Sequence, residues 1–301
     1  MIMLQENTKV WLDGKLIDFK DANVSILTHS LHYGSSVFEG IRAYETQDKK
    51  ASIFRLKEHI DRLFYSADVL SQKIQYDKEE IMQACHDVLK VNNLTSAYIR
   101  PIVFYDDSSM GLDYTNNNTR VAIIAWEWGK YLKEVVRARI VSVRRISEKS
   151  LIPDAKVGGY YINSTLATLE AKQFGFDEAI LLDHDGYIAE GPGENLFFVN
   201  IHTKTLYTPK LGKILAGITR ASIIDIARNL GYKVVERNID VNELSTFQGV
   251  FMCGTAAEFT PLSCIGDIIY DENVCLDIKD TFNRILRGEE EEYKHWNSIR
   301  G

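Results

Sequence analysis

Short apolar runs of strand length recur along the chain without a regular alternation of strand and helix. "SAYIRPIVFY" (96–105), "RVAIIAW" (120–126) and "EAILLD" (178–183) are examples. Their β-branched and aromatic residues and their lengths are typical of strands. Two stretches, 57–70 and 78–91, instead show the spacing of amphipathic helices. This order of elements favours an α+β fold over a regular βαβ arrangement.

The length of 301 residues is sufficient for two medium-sized domains, each with its own core. We predict a small N-terminal α+β domain over 1–126, an interdomain loop over 127–135 and a large C-terminal α+β domain over 136–301. The last of these contains a helix over 217–231 that ends at Gly231. Ligands commonly bind where two domains meet, so we expect the active site at the domain interface.

Composition and charge exclude several classes of protein. The net charge is −7, with both signs interspersed, which argues against a nucleic-acid partner. The N-terminal stretch has no signal-peptide pattern, and no apolar run reaches membrane-spanning length, so we expect a cytoplasmic protein. The four cysteines form no C-x-x-C pair and indicate free thiols. His29 and His32 lack a nearby third ligand, so we expect no metal.

The segment "DAKVGGYYIN" (154–163) combines a lysine with two glycines and two tyrosines before a helical pattern. Glycines at this point suggest that something approaches the backbone closely. Ile162, Leu166 and Leu169 share one helical face, which predicts that a buried helix follows. Burial disfavours the charged form of an amine, and a neutral amine can form a Schiff base with pyridoxal phosphate. The alternative is a lysine that lies at the surface.

Three other segments have residues that such a cofactor requires. "AGITR" (216–220) and "CGTAAE" (253–258) place glycine and threonine where backbone N–H groups bind a phosphate. "GYIAEGPGENLFF" (186–198) holds Glu190 and Glu194 in a glycine-rich bend, and a carboxylate there can pair with a protonated pyridine nitrogen. Each segment alone is also compatible with a simple helix cap or a surface carboxylate.

Together the segments resemble the class IV aminotransferases, which are the fold-type IV pyridoxal phosphate enzymes, and among them the branched-chain amino acid aminotransferases. The resemblance covers nearly the full chain and follows the order of the family. It is carried by "HSLHYGSSVFEGIRAY", "TSAYIRP", "AKVGGYYINS", "GYIAEGPGENLFF", "LAGITR" and "GTAAE". It implies a two-domain α+β fold of the D-amino acid aminotransferase type.

The resemblance implies a role for each cofactor-binding residue. Lys156 would bind pyridoxal 5'-phosphate as a Schiff base and act as the catalytic proton shuttle. Glu190 would pair with the pyridine nitrogen, and Tyr161 would bond the phenolic oxygen. The phosphate and its surroundings would be bound by Arg62, Leu215, Gly217, Ile218, Thr219, Gly254 and Thr255. For Arg62, spacing alone favours a solvated position on the helix over 57–70.

The resemblance also implies a substrate site. Tyr98 and Arg100 alternate on one strand face and would place substrate carboxylates, with Thr255 and Ala256 as backbone donors. "SSMGLDY" (108–114) would form a lid, and Tyr33 would reach a neighbouring subunit. The remaining lining residues would be Phe38, Gly40, Arg42, Met110, Leu112, Trp128 and Tyr131. Ordinary core packing is the alternative for the aromatic residues.

The function that follows is reversible amino transfer between L-leucine, L-isoleucine or L-valine and 2-oxoglutarate, in a homodimer or a dimer-based hexamer. Within the same fold, the alternatives are a D-amino acid transaminase and an aminodeoxychorismate lyase. Outside it, they are a pyridoxal phosphate carrier without turnover and an interaction protein without a cofactor.

Overall fold

The computed structural model describes residues 4–129 and 132–300. They form two compact units. Unit 1 comprises residues 4–129, 155–159 and 284–300, and unit 2 comprises residues 132–154 and 160–283. Residues 155–159, which include Lys156, and the C-terminal residues therefore group with the N-terminal unit. The domain limits that we drew from the sequence, 1–126 and 136–301, stay a prediction.

The strands and helices are numbered in chain order. The strands are β1 Lys9–Leu12, β2 Lys15–Asp18, β3 Ser36–Phe38, β4 Ile41–Glu45, β5 Ala51–Phe54, β6 Ala97–Tyr105, β7 Thr119–Trp126, β8 Val136–Arg144, β9 Glu178–Leu182, β10 Ile188–Glu190, β11 Asn195–Asn200, β12 Thr205–Thr208, β13 Lys233–Glu236, β14 Gly249–Gly254, β15 Glu258–Ile265, β16 Ile268–Ile269 and β17 Asn297–Ile299. The α-helices are α1 His29–Tyr33, α2 Leu56–Val69, α3 Lys78–Val91, α4 Tyr161–Gln173, α5 Ile218–Asn229 and α6 Leu276–Leu286. The 3₁₀ helices are Phe19–Asp21, Gly158–Tyr160, Val241–Thr246 and Glu291–Trp296.

Unit 1 is built on an antiparallel sheet in the order β17-β5-β4-β6-β7-β1-β2, with β3 paired to β6. The tight turn between β1 and β2 has Asp13 and Gly14 at positive φ, as a two-residue hairpin loop requires. Helix α3 begins at a capping box, because Asp77 accepts from the backbone of Glu80 and the Glu80 carboxylate accepts from the backbone of Asp77.

Unit 2 is built on a mixed sheet in the order β10-β9-β8-β15-β14-β11-β12-β13, with β16 paired to β15. Strand β8 runs parallel to β9 and β15, and β12 runs parallel to β13. The central strands are buried on both faces, which explains their continuous apolar sequences. Phe197, Phe198 and Phe251 are among the largest fully buried side chains.

Helix α4 corrects one prediction. Ile162, Leu166 and Leu169, which we expected in the core, are 63%, 50% and 53% exposed. The helix instead buries Ala167 and Ala171 against β8 and β9. Small alanine side chains let the helix lie close to the sheet, and the large apolar residues consequently face outward.

Candidate active site

Lys156 is attached to the strand β3 of unit 1. The backbone N–H of Phe38 donates to the Lys156 carbonyl at 3.2 Å, and Val37 and Val157 form an antiparallel bridge. The Lys156 N–H donates to the Ser66 hydroxyl on α2 at 2.9 Å. The Lys156 amine lies 4.9 Å from the centroid of the Phe38 ring. The backbone that carries the amine is therefore fixed from two sides.

The glycines that follow Lys156 are explained by a close backbone contact. The Gly159 N–H donates to the Gly34 carbonyl at 3.1 Å. A Cβ atom on Gly34, whose φ is +66°, would lie 2.7 Å from the Cα of Gly159. A Cβ on Gly158 would lie 2.4 Å from the Ser36 hydroxyl. The groups that approach this part of the lysine segment are thus the backbone of Gly34 and the side chain of Ser36.

Arg62 belongs to a buried cluster with Glu39 and His59. The guanidinium donates through Nε to Glu39 Oε1 at 2.6 Å and through Nη2 to Oε2 at 2.9 Å. His59 Nδ1 donates to Glu39 Oε2 at 2.7 Å. Burial opposes ionisation of Glu39, but the charges and hydrogen bonds of Arg62 and His59 together outweigh it and hold the pKa of that carboxyl well below its usual range. Burial likewise lowers the pKa of His59. Arg62 is thus largely buried and oriented, and the solvated position that spacing favoured is wrong.

The predicted substrate residues of unit 1 come together around Phe38. The Arg100 guanidinium lies 4.5 Å from the Phe38 ring centroid, and its Nη2 donates to the Tyr98 hydroxyl at 3.0 Å. Tyr98 packs edge-on against Trp128 with ring centroids 4.3 Å apart. Arg42 faces Tyr98 across β4 and β6 and donates to the Trp128 carbonyl at 3.4 Å.

Gly40 lies directly against this group. A Cβ atom on Gly40 would lie 2.0 Å from the Tyr98 hydroxyl oxygen. Only glycine leaves room for Tyr98 in the observed position, so Gly40 has a steric role that its sequence context did not reveal.

Tyr33, Met110 and Leu112 lie at the surface of unit 1, with exposures of 45%, 44% and 82%. His29 ties the loop that carries Met110 and Leu112 to α1. Its Nε2 donates to the Gly111 carbonyl, and its Nδ1 accepts from the Ser35 hydroxyl, both at 2.7 Å. Their roles at the substrate stay predictions. Tyr131 lies outside the described residues.

Glu190 is the central charged group of unit 2. It ends β10 and is 5% exposed. Its Oε1 accepts a hydrogen bond from Arg145 Nε. Its Oε2 accepts from Asn195 Nδ2 and from the backbone N–H of Leu215, both at 3.1 Å. The carboxylate is thus buried, oriented and paired with a cation.

Asn195 connects Glu190 with the start of α5. Its Nδ2 also donates to the Leu215 carbonyl at 3.1 Å, and a Cβ on Gly217 would lie 1.9 Å from its Oδ1. Gly217 is the N-cap of α5, and as a glycine it has no side chain that could cap the helix. The backbone N–H groups of Ile218 and Thr219 open the helix, and such groups bind anions.

Gly254 ends β14, and Thr255 and Ala256 follow it. Strand β14 pairs with β11 so that Cys253 faces Asn195. A Cβ on Gly254 would lie 3.1 Å from the Gly193 carbonyl oxygen. The predicted cofactor residues around Glu190, the start of α5 and the end of β14 therefore cluster in unit 2. Tyr161 is the first residue of α4 and is half-buried.

Comparisons with known proteins determine the family. The model of the family Amino-transferase class IV matches residues 36–265. The chain belongs to the class IV aminotransferases. The branched-chain-amino-acid aminotransferase of Pseudomonas aeruginosa is 43% identical over 267 residues, which cover 87% of this chain and 86% of that protein.

Solved structures agree with this family. The branched-chain aminotransferase from Thermoproteus uzoniensis, solved with norvaline, has a TM-score of 0.93 and 40% identity and covers 97% of this chain and 99% of its own. The branched-chain amino acid aminotransferase from Thermobaculum terrenum, solved in its PLP-form, has a TM-score of 0.91 and 30% identity and covers 99% of this chain and 100% of its own. The predicted family, fold type, branched-chain aminotransferase reaction and pyridoxal phosphate cofactor are confirmed.

The side chains of this class IV aminotransferase fit the cofactor. Pyridoxal 5'-phosphate needs an amine for a Schiff base, an anion for its ring nitrogen and donors for its phosphate. Lys156 is an amine on a fixed backbone, and Glu190 is a buried carboxylate. The start of α5 and Arg62 provide N–H donors.

The sequence analysis did not identify Glu39, His59 and Arg145 as residues of this arrangement. Glu39 lies inside "SVFEGIRAY", and its position between an apolar residue and a glycine was a signal that could have been weighed. His59 and Arg145 had no comparable signal, because a histidine on a helix and the second of two adjacent arginines are usually solvated.

Two further observations concern the described residues only. Over 4–129 and 132–300, no helix is both long and apolar enough to cross a membrane. Over the same ranges, no group of three or more His, Cys, Asp or Glu side chains is arranged to hold a metal ion.

Proposed function

We propose that this aminotransferase transfers the amino group of L-leucine, L-isoleucine or L-valine to 2-oxoglutarate, in a reversible reaction that gives branched 2-oxo acids and L-glutamate. The supporting observation is the Phe38 ring, which lies 4.9 Å from the Lys156 amine and 4.5 Å from the Arg100 guanidinium. An apolar ring suits a branched side chain, and the adjacent guanidinium and Tyr98 hydroxyl suit the second carboxylate of glutamate.

The proposed roles follow from what each side chain can do. When bound, pyridoxal phosphate supplies an electron sink for the negative charge that develops at the substrate Cα. Lys156 holds the cofactor covalently, and its freed amine takes the proton from the substrate Cα as general base. Glu190 pairs with the ring nitrogen, and Tyr161 donates to the phenolic oxygen.

The phosphate is bound, in this proposal, by Arg62 and by residues at the start of α5 and the end of β14. Arg62 is already oriented by Glu39, and the first N–H groups of α5 are arranged for an anion. Leu215, Gly217, Ile218, Thr219, Gly254 and Thr255 complete the set. The substrate α-carboxylate is bound by backbone donors of Thr255 and Ala256.

The apolar part of the substrate is covered by Phe38, Gly40 and Trp128, and Arg42 and Arg100 rim the pocket. Tyr131, which the structure does not describe, belongs to the same proposed pocket. Met110 and Leu112 form the lid. Tyr33 reaches the site of a neighbouring subunit, a role that its 45% exposure supports.

We also propose a homodimer or a dimer-based hexamer whose subunits share residues at the site. The outward-facing apolar side chains of α4 support association, since contiguous exposed apolar surface marks protein interfaces. A cytoplasmic location is supported by four free, buried cysteines, which suit a reducing compartment.

The test is a steady-state assay of the purified enzyme with pyridoxal phosphate and 2-oxoglutarate. L-leucine, L-isoleucine and L-valine are compared with D-alanine, and L-glutamate formation is measured. We expect turnover with the three L-amino acids and none with D-alanine. Turnover with D-alanine alone would assign the enzyme to the D-specific relatives and contradict the proposal.

A further inference from the structure

Arg145 is fixed on three sides within unit 2. It directly follows β8, and its backbone N–H donates to the Leu182 carbonyl at the end of β9 at 2.8 Å. Its guanidinium donates through Nη2 to the Pro153 carbonyl at 3.1 Å and through Nε to Glu190 Oε1. The side chain is 11% exposed. A long side chain held by its backbone and by two partners has a defined orientation.

The described hydrogen bonds of the Glu190 carboxylate all come from donor groups, and these donors differ in charge. Asn195 and the Leu215 backbone are neutral dipoles, whereas the Arg145 guanidinium forms an ion pair with the carboxylate. Burying an ionised carboxylate without a cation is unfavourable, and a bonded cation favours the ionised form. Arg145 therefore favours Glu190 as an anion of low basicity.

We propose that Arg145 is a positioning residue that controls where the proton between Glu190 and the pyridine nitrogen resides. With Arg145 in place, the carboxylate accepts the hydrogen bond and leaves the proton on the nitrogen, so the ring withdraws electrons strongly. Without it, the carboxylate becomes more basic and takes a larger share of the proton. This inference rests on the proposed pairing of Glu190 with the ring.

The same geometry separates two effects of Arg145. Its hydrogen bond to Glu190 stabilises the negative charge of that carboxylate. Its hydrogen bond to the Pro153 carbonyl holds the backbone just before the lysine segment. Gln at position 145 removes the charge and keeps a polar side chain, whereas Lys keeps the charge and loses the planar fork. If charge decides the position of the proton, the Lys variant behaves like the wild type and the Gln variant does not.

The test uses the holoenzyme loaded with pyridoxal phosphate that carries ¹⁵N in the ring, and it measures the ¹⁵N chemical shift at one pH. We expect the wild type and Arg145→Lys to show a protonated nitrogen and Arg145→Gln to move toward the shift of neutral pyridine. We expect kcat for L-leucine to fall about tenfold or more in Arg145→Gln, as for other partners that orient an essential ligand, with KM changed less.

Arg237→Gln is the matched control, because Arg237 pairs with Glu243 in the same unit through two hydrogen bonds of 2.6 Å and takes no part in the site. It should leave the ¹⁵N shift at the wild-type value. An unchanged shift in Arg145→Gln would overturn the proposal. If Arg145→Gln does not fold, the Arg145→Lys variant still tests the proposal. This variant keeps the positive charge at residue 145, so a neutral ring nitrogen in it would also overturn the proposal. A neutral nitrogen in the wild type itself would instead contradict the proposed role of Glu190.

Discussion

The Lys156 carbonyl accepts a hydrogen bond from the backbone of Phe38, and the Lys156 amine lies 4.9 Å from the centroid of the Phe38 ring. The residue that we propose as the catalytic base is thus held by the residue that we propose to line the substrate pocket. Residues 155–159, which include Lys156, belong to unit 1, although the chain on both sides of them belongs to unit 2. Several measurable consequences come from the contacts that hold this segment and its neighbours.

The contact between Gly34 and Gly159 should control how well Lys156 is placed for the cofactor. Gly34→Ala would bring a Cβ to 2.7 Å from the Gly159 Cα at a φ of +66°. We expect a smaller fraction of the purified protein to carry pyridoxal phosphate, measured by the ratio of visible to ultraviolet absorption. A left-handed alanine alone costs about 1–2 kcal/mol of stability.

Gly266→Ala is the matched control for that strain. Gly266 has a φ of +59°, and among the described residues no atom lies within 4 Å of the position that its Cβ would take. The Gly266→Ala variant should lose a similar amount of folding free energy to left-handed backbone strain and keep its cofactor content. Equal cofactor contents in the two variants would refute a specific role for the contact between Gly34 and Gly159.

Glu39 should strengthen cofactor binding by holding Arg62. Glu39→Gln removes the charge that orients the guanidinium, so we expect the Kd for pyridoxal phosphate to rise about tenfold, which corresponds to about 1.4 kcal/mol. Titration of the apoenzyme, followed by cofactor absorbance, measures it. Glu58→Gln, which breaks the ion pair with Arg55 at the start of the same helix, should leave the Kd unchanged. The same Kd in all three proteins would exclude this role of Glu39.

Gly40 should set the affinity for 2-oxoglutarate through Tyr98. A Cβ at residue 40 would displace the Tyr98 hydroxyl, to which Arg100 donates. A lost hydrogen bond to a charged group costs about 1.5–3 kcal/mol, so KM for 2-oxoglutarate should rise at least about tenfold in Gly40→Ala, with a smaller change for L-leucine. Gly129→Ala meets no described atom within 4 Å and serves as the control. A uniform change for both substrates would contradict the prediction.

His86 should make the protein less stable in mild acid. Burial, aided by the positive charge of Arg300, lowers the pKa of His86 to about 4, against 6.5 for an ordinary histidine. Between these values the unfolded chain binds a proton that the folded chain does not, so the free energy of unfolding falls as pH decreases from 6.5 to 4.

The His86→Gln variant tests this directly. Gln can still bond the Ser298 hydroxyl, which lies 2.9 Å from His86 Nε2. Urea unfolding at pH 7 and pH 5 should show a smaller loss of stability in His86→Gln than in the wild type. His202→Gln, at an exposed position, should keep the wild-type loss. Identical losses in all three proteins would show that His86 does not contribute.

Local signals in the sequence predicted much of the secondary structure. Helix α3 was predicted over 78–91 and has the bounds Lys78–Val91, because both its periodicity and its Asp77 capping box are local features. The hairpin around Asp13 and Gly14 is equally local. The buried face of α4 was predicted wrongly, since side-chain size at Ala167 and Ala171, rather than hydrophobicity, determines which face lies against the sheet.

In the candidate site, too, features encoded by short segments were predicted and long-range contacts were not. Lys156, Glu190 and Arg62 were named from motifs, because each motif is a short segment that the family resemblance identifies. The bridge that attaches the lysine segment to β3 and the bond from Arg145 to Glu190 join residues that lie far apart in the sequence. Such long-range contacts depend on the tertiary fold, and no spacing within a segment encodes them.

The visible absorption spectrum of the holoenzyme, with and without L-leucine, tests the central claim most directly, with D-alanine and the Lys156→Ala variant measured in parallel. We predict that L-leucine removes the long-wavelength band of the wild type, that D-alanine does not, and that Lys156→Ala forms no such band of its own. A wild-type protein that stays colourless with added pyridoxal phosphate, or a Lys156→Ala variant with the wild-type band and response, would contradict the role of Lys156.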